Sequence, residues 1–376
     1  MTLKTLAHAE RDAYLQTLKA LVTLESPTPD KAANDRVADY LETVLRADGW
    51  TVERVALREV GDQVVARFDA PGEVSSLLLC HFDTVWPVGT LAQMPLKEED
   101  GKLYGPGTLD MKAGIATALH ALKMVRRERL TLRGPVTLLL TSDEEKGSLF
   151  SREIIERLAQ AHSRVFVLEP GREDGALKTG RKGTGDFTAH FAGVSAHAGN
   201  NPQDGASALR ELAHFLPFAE NLTDFEQGTT VNVTVAQGGS VSNVIAESAT
   251  CTLDMRVLKL GEAERVEAAL RAYVPQDSRV TVTLTGGLNR PPLEATEANK
   301  KLFEEAQGVL ETLGLTMAGA VVGGGSDGNF TSALGVPTLD GLGSAGAGPH
   351  ARFEHIRIDE TLDRLALLTA LLTAEE

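Results

Sequence analysis

Cysteine is scarce in this sequence: Cys80 and Cys251 are the only two among 376 residues, far apart and each inside an apolar run. That leaves no disulfide framework, and both read as reduced thiols of a core. Positive charge is also in deficit, with 37 Lys and Arg against 52 Asp and Glu and a net charge of −15. The balance argues against nucleic acid and anionic membrane as partners. No stretch approaches the roughly 18 consecutive apolar residues of a membrane span. The segment through Glu25 lacks the apolar centre of a signal peptide. A cytoplasmic protein is the simplest expectation. The helix-borne HExxH signature is missing too, so a zincin-type protease is not indicated. Repeats are absent, and low complexity is confined to glycine-rich loops.

The length predicts roughly two domains, and a chain 42% hydrophobic and 24% charged can bury a core in each. Residues 8–24 and 31–47 have the pattern of amphipathic helices. Strand-like runs follow at 51–57, 62–69 and 75–80, then a helix at 111–125 and a continuous apolar strand at 135–142. A helix at 149–160 and a short strand at 164–170 complete the series. This alternation predicts an α/β domain with a mostly parallel sheet and helices on both faces. Near Gly185 the pattern changes to strand, helix 205–217, strands 229–237 and 249–257, helix 262–273 and strand 279–286. That is the βαββαβ order of a ferredoxin-like α+β domain. A Pro-containing linker, helix 296–313, apolar pieces over 318–343 and helix 359–374 follow. The expected organisation is one domain over 1–183 and 290–376, interrupted by an inserted domain over 184–289.

Polar residues cluster just after the apolar strands. His81 and Asp83 follow 75–80; Asp110 opens a helix; Asp143, Glu144 and Glu145 follow 135–142; Glu169 follows 164–168. In a parallel sheet the carboxyl ends of the strands share an edge, and ligands bind there. So many acids beside one imidazole are costly unless a cation compensates them. Imidazole with carboxylate oxygen suits zinc, with Co2+ or Mn2+ as alternatives. One His at each of two metals with a carboxylate between them is a plausible arrangement. The second His would come from "GAGPHARFEHI", which offers His350 and His355.

The stretches "CHFDTVWPVGT", "LYGPGTLDMKAGIA", "TSDEEKGS" and "LEP" resemble the successive motifs of the co-catalytic zinc exopeptidases and deacylases. That family includes glutamate carboxypeptidase, aminoacylase, acetylornithine deacetylase and tripeptidase. The resemblance continues through "GVSAHAGNNPQDGASA", "GGSVSNVIAESATCTLDMRV" and "GGGSDGNF … GAGPHARFEHI", over nearly the whole chain and in order. "DTVWPVGT" and the glycine triplet before Ser326 are most similar to the glutamate carboxypeptidase branch. The resemblance implies a zinc-dependent hydrolase that cleaves the amide bond of a C-terminal amino acid from a small peptide or N-acyl amino acid. It implies two Zn2+, with Asp110 bridging, His81 and Glu169 completing one site, and Glu145 and His350 the other. Asp83 would accept the other ring N–H of His81, and Glu144 would be the general base. A cis peptide is implied at Asp110-Met111. His197 would donate to the scissile carbonyl oxygen, often across a homodimer formed through the inserted domain, which would serve as lid and dimerisation domain. Asn243 and Arg256 would receive the substrate's terminal carboxylate, which the planar fork of Arg matches. His350 is preferred to His355 because Glu354 follows it at the family's spacing, while His355 falls where an aromatic residue is usual.

Other readings exist. An N-acyl-amino-acid deacylase or dipeptidase would use the same chemistry with different pockets. "GGSDG", residues 324–328, matches G-x-S-x-G, with Asp340 and a histidine downstream, as in a serine hydrolase using Ser326. That reading leaves His81, Asp110, Glu144, Glu145 and Glu169 without a role. A non-enzymatic binding protein of the same fold would be expected to have lost the base or a ligand, and none is missing.

Overall fold

The computed structural model describes residues 2–374. The chain divides into two compact units. One takes in the chain through Gly180, Ala295–Val322 and the chain from Ser326; the other comprises Arg181–Glu294 and Gly323–Gly325.

The first unit is built on strands Thr51–Val55 (β1), Gln63–Phe68 (β2), Ser76–His81 (β3), Val136–Thr141 (β4) and Arg164–Val167 (β5), which a two-residue strand, Thr338–Leu339, joins at the edge. Their order is β1-β2-β4-β3-β5 and then Thr338–Leu339. The last four are mutually parallel; β2 pairs antiparallel with β4, and β1 pairs antiparallel with β2. β3 and β4 are buried along their whole length. That explains their unbroken apolar runs, because a strand covered on both faces needs no polar side. Successive residues face different cores, as the period of two requires. Leu78, Cys80, Leu138 and Leu140 pack with helices Arg11–Thr23, Ala113–Glu128 and Ile358–Leu372. Leu77, Leu79 and Leu139 pack with helix Arg152–Gln160 and with Phe330. The sheet therefore carries helices on both faces.

The helix expected over 8–24 is two, Leu3–Ala9 and Arg11–Thr23. Between them lies Glu10, whose buried carboxylate meets His120 Nδ1 at 3.1 Å and Arg127. A small antiparallel sheet was not expected: Gly346–Ala347, His355–Arg357, Lys102–Tyr104 and Lys97–Glu99, in that order. It ties the chain just before Asp110 to the chain around His350.

The second unit runs strand Gly183–Ala192 (β6), helix Ala208–Glu220, strands Thr230–Gly238 (β7) and Ser248–Val257 (β8), helix Leu260–Arg271 and strand Thr281–Arg290 (β9). The sheet order is β7-β8-β6-β9, antiparallel throughout. On β8 every second residue is buried, from Ala249 to Val257. Those residues join Phe187, Phe191 and Phe215 in the unit's own core. The βαββαβ order is thus realised as a ferredoxin-like sheet with one apolar face. Both cysteines are free and buried. Among the described residues no helix is long and apolar enough to cross a membrane.

Candidate metal centre

The parallel pairing of β3 with β4 sets His81 beside Thr141, and that of β3 with β5 sets Leu79 beside Val167. All three strands therefore release their chains at one edge. His81, the turn Glu144–Lys146 and Glu169 emerge together there. Asp110 arrives from the turn Thr108–Lys112 that leads into helix Ala113–Glu128. The C-terminal side of this turn is anchored twice: Tyr14 Oη donates to Ala113 O at 2.7 Å, and Met111 Sδ accepts from His81 N at 3.2 Å. The Asp110–Met111 peptide is cis. His350 sits in the turn between Gly346–Ala347 and His355–Arg357 with φ of 60°. That left-handed conformation costs a non-glycine residue about 1–2 kcal/mol, so the surrounding structure must impose it.

Two groups of donor atoms result. His81, Asp110 and Glu169 form one, and Asp110, Glu145 and His350 the other. His81 Nε2 lies 3.3 Å from Asp110 Oδ1 and 3.2 Å from Glu169 Oε1. His350 Nε2 lies 3.4 Å from Asp110 Oδ2 and 3.2 Å from Glu145 Oε2. These separations exceed the roughly 2.7–2.9 Å of a charge-assisted hydrogen bond. They match the roughly 3.3–3.5 Å edge of a tetrahedron with zinc–ligand bonds of about 2.0–2.2 Å. His81 Nε2 and Glu145 Oε1 are moreover buried without a hydrogen-bond partner, a state avoided unless something else satisfies the atom. The residues present fit a pair of divalent cations.

Without a cation, the same groups perturb one another. Burial would raise the Asp110 carboxyl, but the imidazoles of His350 and His81 outweigh it and hold it well below the usual range. Burial would lower the His81 imidazole, but Asp110, Asp83 and Glu169 raise it well above its ordinary value. Asp110 and Glu145 push His350 up to about 10. Burial, with the like charges of Asp110 and Asp83, raises Glu145.

Further carboxylates hold the loops that carry the two donor groups. His81 Nδ1 lies 3.0 Å from the main-chain oxygen of Asp83 and 3.4 Å from its Oδ1. The contact expected of the carboxylate is thus made more closely by the carbonyl. The Asp83 carboxylate accepts from Glu144 N and Glu145 N at 3.2 Å each and from Thr28 Oγ1 at 2.8 Å. It therefore fixes the turn that presents Glu144, which is half-buried and near enough for its charge to act on His81. Asp143, fully buried, accepts from Phe150 N at 2.8 Å and from Ser151, closing the same loop. Glu354, also fully buried, accepts four N–H groups around Asp110. Burial pushes its carboxyl up to about 7 against the pull of Gly107, Asp110 and Trp86. A proton on either oxygen would confront donors, so the geometry accepts the ionised form. Nothing in the sequence pointed to Thr28 as a partner. Glu354 was visible only as a spacing.

His355 joins neither group. Its Nδ1 meets Phe353 O at 2.8 Å, and its ring packs on Tyr104 with centroids 4.9 Å apart. Ser326 is fully buried, and its hydroxyl donates to Asp340 Oδ2 at 2.7 Å. A nucleophile elbow would expose this oxygen and pair it with a histidine. The serine-hydrolase reading is overturned on that ground.

The remaining three residues lie in the second unit. His197 is exposed, and its Nδ1 accepts from Gly199 N and Asn200 N at 3.1 Å each. The ring proton is thereby placed on Nε2. The backbone beside it pairs with Asn243, whose carbonyl accepts from Ala198 N at 2.9 Å. Arg256 engages Asp254 through Nε at 3.0 Å and Nη2 at 2.7 Å.

A model of the family described as Peptidase family M20/M25/M40 matches residues 77–374. Carboxypeptidase G2 of Pseudomonas sp. (strain RS-16) is 33% identical over 372 residues, covering 96% of this chain and 89% of that protein. A succinyl-diaminopimelate desuccinylase of Rickettsia akari (strain Hartford) is 28% identical over 345 residues, covering 84% and 88%. The crystal structure of aminopeptidase PepT from Bacillus cereus ATCC 10987 shares the fold, with a TM-score of 0.79 at 20% identity over 96% of this chain and 98% of that one. The family match begins inside β3 and takes in every member of both donor groups; the chain belongs to peptidase family M20/M25/M40.

Proposed function

We propose that this chain is a two-zinc hydrolase that removes a C-terminal amino acid, of the glutamate carboxypeptidase type, from a small peptide or N-acyl amino acid. The carrying observation is Asp110, whose two oxygens face two separate groups, each with one imidazole and one further carboxylate. His81, Asp110 and Glu169 would hold one ion, and Asp110, Glu145 and His350 the other. When bound, zinc supplies Lewis acidity that brings the attacking water's pKa toward neutral.

The chain's own groups do the rest. Glu144 takes the water's proton and returns it to the leaving amine. Asp83 aims Glu144 by holding its amide. His197, with its proton on Nε2, donates to the carbonyl oxygen where negative charge develops. Asn243 and Arg256 receive the terminal carboxylate; Asp254 occupies one side of the guanidinium and leaves Nη1 for the substrate. The second unit serves as lid and homodimer surface. Its outer strand β7, which carries the exposed Val235, offers an edge for a second copy.

Carboxypeptidase G2 as a relative supports the glutamate reading. The desuccinylase relative favours a second one, deacylation of an N-acyl amino acid by the same groups. A panel of N-acyl glutamates, dipeptides and N-succinyl or N-acetyl amino acids, assayed with zinc present and removed, tests both. Preference for acyl glutamates upholds the first reading, preference for the succinyl or acetyl set the second, and activity indifferent to metal neither.

A further inference from the structure

We infer that Glu354 is a positioning residue for both metal sites, acting as a junction between the loop that carries Asp110 and the turn that carries His350. The inference rests on the two-metal reading above. Glu354 Oε1 accepts from Leu109 N at 2.9 Å and Asp110 N at 3.1 Å. Oε2 accepts from Gly107 N at 2.9 Å and from Trp86 Nε1 at 2.7 Å. Its main-chain oxygen accepts from Gly105 N at 3.2 Å. Four of these five donors are backbone amides within the six residues 105–110.

Glu354 also belongs to the His350 turn. Its amide donates to Ala351 O at 2.9 Å, and Ala351 N donates to Gly348 O at 3.0 Å. These bonds close the turn in which His350 takes its φ of 60°. One fully buried side chain therefore fixes the amide of the bridging carboxylate relative to the second imidazole. Trp86 brings in a third segment, the loop that leaves β3 after His81 and Asp83. Three of the five proposed ligands are referred to one carboxylate without any of them touching its oxygens through a side chain.

The choice of residue type matters. A carboxylate has acceptors only, and here each oxygen takes two N–H groups. A glutamine has one acceptor oxygen and one NH2. Whichever way its amide turned, the NH2 would face two donors. Glu354→Gln should therefore open one half of the junction at nearly unchanged volume. Partners of this kind typically alter metal affinity by about 10–100-fold.

The test is titration of the metal-free full-length chain with cobalt(II), followed by its visible spectrum, for the parent, Glu354→Gln and Trp86→Phe. Thermal midpoints of the metal-free forms are measured alongside. Glu354→Gln should bind cobalt at least tenfold more weakly than the parent. Its bands should be altered, and turnover should fall through kcat with KM within threefold. Trp86→Phe removes one donor of the four and should move affinity and spectrum the same way by less. If Glu354→Gln does not fold, Trp86→Phe decides alone. Variants that match the parent in cobalt affinity and spectrum, whatever their thermal midpoints, overturn the inference, since a purely structural role would shift only stability. A parent that binds no cobalt overturns the two-metal reading itself, a different result from parent-like variants.

Discussion

His81 and His350 approach opposite oxygens of one carboxylate: Nε2 of His81 lies 3.3 Å from Asp110 Oδ1, and Nε2 of His350 lies 3.4 Å from Oδ2. A single side chain is thus common to two donor groups, and each group would lack a donor without it. Asp110→Asn should weaken binding of both ions together. Isothermal titration of zinc into the variant checks this; loss of one site with the other intact would show that Asp110 does not bridge.

Glu144 is expected to be the proton carrier. Glu144→Gln keeps the turn, whose amides are held by Asp83, and removes only the basic oxygen. Turnover should fall by roughly 10²–10⁴-fold with zinc content unchanged. Parent-like turnover would remove Glu144 from the role.

Asp83 holds two amides and Thr28 from a fully buried position. In Asp83→Asn an NH2 replaces one acceptor and confronts an N–H. The metal-free protein should lose about 1–3 kcal/mol of stability, and kcat should fall more than KM rises. Denaturant unfolding with steady-state kinetics reads both. Unchanged stability and kcat would leave the carboxylate without the anchoring part described.

The metal-free protein should lose stability as pH rises. His350 is raised to about 10 by Asp110 and Glu145, and His81 is raised by its carboxylate partners against the effect of burial. A raised imidazole stabilises the fold fully below its unfolded value of about 6.5. That contribution fades as pH climbs through the folded value. Melting temperatures of chelated protein should therefore decline between about pH 6.5 and 10, and less so in His350→Gln. A flat profile in the parent would contradict the ion pairing.

Arg256→Ala should raise KM for substrates with a free terminal carboxylate by roughly 10–100-fold, the worth of a charged hydrogen bond. Substrates amidated at that end should be indifferent. Equal losses on both would reassign Arg256 to a structural pairing with Asp254.

The sequence made the sheet and its edge legible for a physical reason. β3 and β4 are buried on both faces, so their composition is unambiguous, and the residues that follow them stand out as polar. The ferredoxin-like order was readable because β8 alternates cleanly between core and surface. The four-stranded sheet that brings His350 to Asp110 was not readable, since strands of two or three residues carry no period. That sheet is what separates His350 from His355 in space, a choice the sequence supported only through the spacing to Glu354 in the resembling family. His355 pairs with Tyr104 in that sheet and turns its ring onto it, while His350 lies in the turn. The anchoring by Asp83 and Glu354 was hidden for another reason: apart from Thr28 and Trp86 their donors are backbone amides, which every sequence has.

Zinc content and turnover measured on one sample bear most directly on the central claim. Two zinc ions per chain are expected, with hydrolysis of an acyl amino acid lost on chelation and regained when zinc is returned. A chain that holds no metal and works at full rate in chelator would contradict it.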